Sequence, residues 1–329
     1  MKLLYIILLT IITIGIYKNK TVNLHSFSRD NCNLLKGIFA ILIVLTHLKI
    51  IPHWLFSKEI VSGFFFIAGY GLMYNIEHKQ GYLSSFLSKR LSNILIPFIF
   101  ISLLFQSLSI LNNNFQISAY LNQITSTLEI LPYSWFVTSI LFIYICFYII
   151  FKYIKSSIIA QLALLASSII FIVSSILLGL GAWWRISILA FNFGIYWKYI
   201  EPLIKQILKT HKVLSILVPS IILVLAILTP SQYLYKENII SYIHCVLLFP
   251  FVFTLITYRY GLPKIKILTF LSNISYEIYL AQGISIYFLR SNIFFVQNNI
   301  VYTLSAIFIT IFIAYISKKT ISIIKTYVL

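Results

Sequence analysis

"LLKGIFAILIVLTHLKII" (residues 34–51) is apolar enough to lie in lipid, yet it carries a cation at Lys36 and an imidazole at His47. The rest of the chain decides how to read it. Of 329 residues, 60% are hydrophobic and only 10% are charged, and the mean hydropathy is +0.96. A soluble domain carries about 25% charged residues, enough to cover its surface with polar groups. This chain cannot do so, and it reads as an all-α, polytopic membrane helical bundle. Spanning helices need about 20 mostly apolar residues. Eleven segments qualify: 3–17, 34–51, 60–76, 94–111, 134–151, 157–180, 183–197, 213–229, 239–257, 267–289 and 299–317.

The cations test that division. The formal net charge is +18, from 25 Lys and Arg against 7 Asp and Glu. With the N-terminus outside, nineteen of the basic residues fall in the inside connections and six outside, which are Lys2, Lys49, Lys58, Arg185, Lys236 and Arg290. Such a bias sets orientation in membranes and predicts N-terminus out, C-terminus in. It also accounts for the positive charge without nucleic acid, since no basic patch with interleaved aromatics lies outside the apolar segments. Residues 1–20 are expected to be a retained anchor helix rather than a cleaved signal, because they lack a small-x-small site and end in "KNK". Residues 30–329 then form one membrane domain of about ten helices with no appended soluble domain. The expected location is the cell membrane, as a multi-pass protein. Cys32, Cys146 and Cys245 have no disulfide or zinc spacing, so no metal is expected.

Few groups in the spans can do chemistry. Lys36 and His47 are eleven residues apart, about three helical turns, so they share one face about 16 Å apart. Ionisable side chains at lipid depth usually face a bundle interior or a wet cavity. Glu277 is the one acid inside a predicted span, and a basic partner is expected for it, Lys36 or His47. Arg185 stands at the start of the seventh segment and either orients an acceptor or anchors the interface. Gly63, Gly69 and Gly71 permit close approach of a backbone or a slim ligand. His244 has no motif around it.

Five stretches, in order, carry a resemblance. "LLKGIFAILIVLTHL" is similar to the first signature of the acyltransferase 3 family of integral-membrane acyltransferases, in which a basic residue, commonly Arg, precedes a His by eleven. "GFFFIAGYGL" (63–72) resembles the family's FF-x-x-S-G-[FY] segment, with Ala68 for Ser. "FLSKRLSNILIP" (86–97) resembles its basic cluster, with Lys89 and Arg90 matching and Asn93 where a second Arg is common. "YSWFVTSILFIY" (133–144) resembles its WFL helix. "LSNISYEIYLAQ" (271–282) resembles its SY-x-IYL-x-H helix, with Gln282 for His.

The resemblance implies transfer of an acyl group, commonly acetyl, from cytoplasmic acyl-CoA to a sugar hydroxyl of an envelope or capsular polysaccharide or its lipid-linked precursor. His47 would be the general base, since an imidazole with an ordinary pKa near ~6.5 can take a hydroxyl proton, a contribution of about 10²–10⁴ in rate. A transient acyl-histidine is the alternative covalent route. Lys36, Lys89 and Arg90 would hold the phosphates of acetyl-CoA. Tyr70, Trp135, Arg185, Ser275, Tyr276 and Glu277 would line the cavity or meet substrate. The expected partners are acyl-CoA, a glycan acceptor and membrane lipid. The competing reading is a polysaccharide flippase, polymerase or transporter, which would call for mid-depth cations or a large outer loop.

Overall fold

The computed structural model describes residues 27–50, 53–111, 129–210, 237–262, 264–292 and 294–328. The described residues form helices and no strand; an isolated bridge joins Arg290 and Phe295. In chain order they are α1 (Arg29–His47), α2 (His53–His78), α3 (Phe86–Leu111), α4 (Trp135–Tyr153), α5 (Ser157–Leu177), a 3₁₀ turn (Ala182–Trp184), and α6 (Leu189–Thr210). Then follow α7 (Ile239–Ile243), a π-turn (His244–Leu248), α8 (Phe249–Tyr260), α9 (Lys266–Asn273), α10 (Ser275–Phe288) and α11 (Asn299–Val328). The predicted spans 3–17 and 213–229, and the anchor within 1–20, lie outside the described residues.

Five described helices are long and apolar enough to cross a membrane: Ser57–His78 of α2, then α3, α4, α5 and Asn299–Thr326 of α11. Their burial sorts them. The most apolar part of α2 is 61% buried, whereas those of α3, α5 and α11 are 22% buried. The latter expose many large apolar residues, among them Leu103, Ile158, Leu177, Ile300 and Phe308. Water would not favour that surface; lipid does, and α2 is the central helix of the bundle.

Where the predicted spans differ, a local cause is visible. The stretch 34–51 stops being helical at His47. Lys49 takes φ 60°, its N–H bonds Thr46 C=O at 3.0 Å, and Ile50 N–H bonds Leu45 C=O at 3.0 Å. These two bonds form a Schellman cap. Residues 183–197 contain a 3₁₀ turn, and the helix there runs instead from Leu189 to Thr210. Span 239–257 is interrupted by the π-turn, and span 267–289 breaks at Ile274. Helix α11 continues eleven residues past its predicted end, because "SKKTISIIKTYV" contains no Gly or Pro to stop it.

The largest helix interface is α2 on α6, and it is made by missing side chains. A Cβ on Gly69 would lie 2.1 Å from Phe191 O, and one on Gly194 would lie 2.2 Å from Phe66 O. The two backbones therefore touch, which is how membrane helices gain dispersion energy where lipid offers no hydrophobic drive. Interhelical hydrogen bonds add to this, from Asn192 Nδ2 to Ser168 Oγ at 2.6 Å and from Trp197 Nε1 to Tyr258 OH at 3.1 Å. The end of α9 crosses α1 just as closely, at Gly37, where a Cβ would meet Ser272 N at 2.7 Å. That crossing and the break at Ile274 aim α10 into the bundle, where the run from Glu277 to Ser285 is buried.

Candidate functional site

A cavity of about 1490 Å³ occupies the end of the bundle where α1 begins and α2 finishes. Among the described residues, eight Lys and Arg side chains line it against three Glu. Two of the acids are paired with wall lysines: Glu201 with Lys205 at 2.6 Å, and Glu77 with Lys198 through a close contact. The third, Glu277, is 1% exposed and holds Lys318 at 2.9 Å. Its expected partner was Lys36 or His47. Because α11 outruns its predicted end and packs along α10, Lys318 reaches Glu277 instead.

The predicted cofactor residues divide. Lys36 and Arg90 line the cavity, and Lys89 is exposed outside it. Lys36 Nζ donates to Asn33 Oδ1 at 3.4 Å. Arg90 donates from Nη2 to Tyr82 OH at 2.9 Å, and its guanidinium lies over the Tyr144 ring at 5.8 Å. Tyr70, Ser275, Tyr276 and Glu277 are wall residues as expected; Trp135 and Arg185 are not. Trp135 packs against Trp184, with ring centroids 6.4 Å apart. Arg185 is a clamp: Nε meets Glu237 Oε1 at 2.6 Å, Nη2 meets Oε2 closely, and Nη1 donates to Leu180 O at 2.6 Å. These hydrogen bonds hold the Glu237 carboxyl below the usual carboxylate range.

Six cavity cations were given no role because each was assigned to an inside connection: Arg29, Lys79 and two pairs, Lys198 with Lys205 and Lys318 with Lys325. Their spacing gave a signal. Each pair is seven residues apart, two helical turns, hence on one face. Lys325 Nζ meets Asn93 Oδ1 at 2.5 Å. The α11 lysine thus brings a positive charge to the position where "FLSKRLSN" has Asn.

His47 sits in the last turn of α1, half-buried, and is not a wall of the cavity. Its Nδ1 lies 2.9 Å from Gln282 Oε1 on α10, 235 residues away. With Gln282 Oε1 as the acceptor, Nδ1 is the donor and Nε2 is the basic nitrogen of the ring. One face of the imidazole stacks on Tyr133, with centroids 4.0 Å apart and planes at 14°.

Tyr133 has φ 66°, in the left-handed region that a bulky residue seldom enters. Two groups hold it there. Its N–H donates to Glu129 Oε2 at 3.1 Å, and its C=O accepts from the Tyr279 hydroxyl. Burial pushes the Glu129 carboxyl up, against the effect of the Tyr133 N–H. Strained residues of about 1–3 kcal/mol persist where their surroundings over-determine them. Here the strained residue is the one that meets His47. Tyr279 belongs to both parts of the site: its ring lines the cavity beside Phe136, 5.6 Å centroid to centroid, and its hydroxyl fixes Tyr133. Tyr133 opens the WFL-like stretch but was given no role there, and Glu129 lay in no motif; the Pro132 before Tyr133 is the one local signal of a turn.

The family model described as an acyltransferase domain, acyltransferase 3, covers residues 29–318. No curated protein and no solved structure matches the chain significantly.

Proposed function

The chain belongs to the acyltransferase 3 family, and we propose that it moves an acyl group, acetyl in the first instance, from cytoplasmic acyl-CoA to a sugar hydroxyl. The acceptor is a cell-surface polysaccharide or its lipid-linked precursor, and the enzyme works in the cell membrane. Membership makes the chain a membrane acyltransferase domain; donor, acceptor and base are our reading.

The observation that carries the reading is the contact of His47 Nδ1 with Gln282 Oε1. It leaves Nε2 to take the proton of an acceptor hydroxyl as that oxygen attacks the thioester carbonyl. The carbon–sulfur bond then breaks and the coenzyme leaves as a thiol, receiving the proton from the imidazolium. The basic cavity supports an anionic donor. Five of its eight cations have no acidic wall partner, and Lys36 and Arg90 are among them. Arg90 can meet a phosphate with two parallel bonds, while Lys36 acts as a point charge. The slim pantetheine arm would pass Gly71, where even a Cβ would meet nothing within 4 Å. It would then displace the Phe136–Tyr279 partition to bring the thioester to His47.

The test compares surface glycan from a deletion strain with the same strain carrying wild-type or His47→Ala protein, by mass analysis. Loss of an acyl mass at unchanged chain length, restored by wild type alone, is expected. Loss of the whole polymer would favour a flippase or polymerase and overturn the proposal.

A further inference from the structure

Apart from the cavity and the His47 contacts, three metal-ligand side chains converge between α2 and the π-turn. Glu59, His244 and Cys245 are exposed by only 2%, 4% and 1%. His244 Nδ1 lies 2.8 Å from Glu59 Oε1. The Cys245 thiol faces Glu59 and Ser62. One oxygen, one nitrogen and the sulfur all lie within 4.8 Å of one another. None of the three residues lines the basic cavity.

Two further observations point to a ligand. Glu59 Oε2 and His244 Nε2 are buried without a hydrogen-bond partner. Leaving such an atom unpaired is costly, and native interiors keep few of them. The backbone that carries His244 and Cys245 is a π-turn, a rare i→i+5 arrangement found mostly at functional positions. It sets both side chains toward Glu59.

We propose that Glu59, His244 and Cys245 bind one borderline divalent cation of the Zn²⁺ class, with a fourth position open to water or another donor. Carboxylate, imidazole and thiolate are the donors such an ion takes, at about 2.0–2.3 Å. Closing the 4.8 Å cluster onto one ion needs side-chain shifts of about an ångström. Hard cations such as Mg²⁺ or Ca²⁺ would want oxygen ligands instead. Charge balance favours occupancy. The ion displaces the thiol proton, which leaves to solvent, and one thiolate plus one carboxylate neutralise its two charges. The buried cluster is then neutral. The ion would tie the π-turn to α2, the helix on which α1 and α6 pack. Glu59 is 185 residues from His244, so no ligand spacing appears in the sequence.

The test uses the full chain in detergent, stripped with a chelator, incubated with Zn²⁺, desalted and assayed for metal, with Co²⁺ titrated in parallel. One zinc per chain is expected, and Co²⁺ should show a thiolate-to-metal charge-transfer absorption. Cys245→Ser, nearly isosteric, should abolish that absorption and weaken zinc by more than about 10-fold. Glu59→Gln should weaken zinc too, and Cys32→Ser and Cys146→Ser should change neither readout. Wild-type protein that holds no stoichiometric zinc overturns the proposal. So does an unchanged cobalt spectrum in Cys245→Ser. Either result leaves the cluster as a hydrogen-bonded staple.

Discussion

Replacing Gln282 by Leu removes the Oε1 atom that meets His47 Nδ1 and puts an apolar side chain of similar size in its place. Gln282 is fully buried, and its Nε2 has no partner, so the substitution also removes an unpaired amide and the fold should tolerate it. The lost bond is neutral and 2.9 Å long. Such bonds contribute about 0.5–1.5 kcal/mol net. If the whole of it serves to present Nε2 in the transition state, kcat falls by about 2–13-fold. The Michaelis constant for acetyl-CoA should not move, because Gln282 is not a wall of the cavity. Gln282→Glu keeps an acceptor at the same reach and should retain most of the activity. The assay is transfer of labelled acetyl from acetyl-CoA in isolated membranes, normalised to protein, over a range of donor concentrations. Wild-type turnover by Gln282→Leu would refute the tautomer argument. So would Gln282→Glu falling as far as Gln282→Leu.

Three further outcomes follow from the packing and the ion pairs. Gly69→Ala and Gly194→Ala should each lower thermal stability in detergent by about 1–3 kcal/mol through overpacking, whereas Gly71→Ala should be silent; equal effects at all three positions would contradict the α2–α6 contact. Lys318→Met should destabilise by about 1–3 kcal/mol, less than a fully buried pair because Lys318 is half-exposed, and adding Glu277→Gln should restore most of the loss. Differential melting of the single and double variants reads that out. Arg185 lowers the pKa of Glu237, so the pair's stabilisation is fully present above pH ~4.3 and is lost as pH falls through the lower folded value. The melting gap between wild type and Glu237→Gln, about 0.2–1 kcal/mol at neutral pH, should therefore close in acid.

The membrane class and the positions of the long helices were legible because hydrophobic length is a local property. Helices α3, α4 and α5 begin or end within a few residues of the predicted spans, apart from the eight-residue earlier start of α3. What stayed hidden depends on neighbours far along the chain. The π-turn lies inside a continuous apolar run and leaves no hydropathy signal, whereas the polar residues around Ile274 and from Lys318 onward do not tell a kink or a helix continuing into water from the end of a span. The pair of Lys36 and His47 on one helix face was correct as a spacing. Yet the structure assigns them to different parts of the site: Lys36 to the cavity, His47 to the Gln282 and Tyr133 contacts. Gln282 looked like a departure from the family pattern, and it is the residue that holds the imidazole. Asn93 looked like a lost charge, and Lys325 brings one from another helix. Glu59 escaped notice because it fell one residue before a predicted span, and its partner His244 because nothing local marked it.

His47 is proposed to take the proton of the acceptor hydroxyl while the basic cavity holds the donor elsewhere, and this division of labour can be measured. It is tested most directly by measuring acetyl-CoA binding and acetyl transfer on the same reconstituted preparation of His47→Gln. Binding should be unchanged and transfer reduced by about 10²–10⁴-fold. Transfer at the wild-type rate would contradict it.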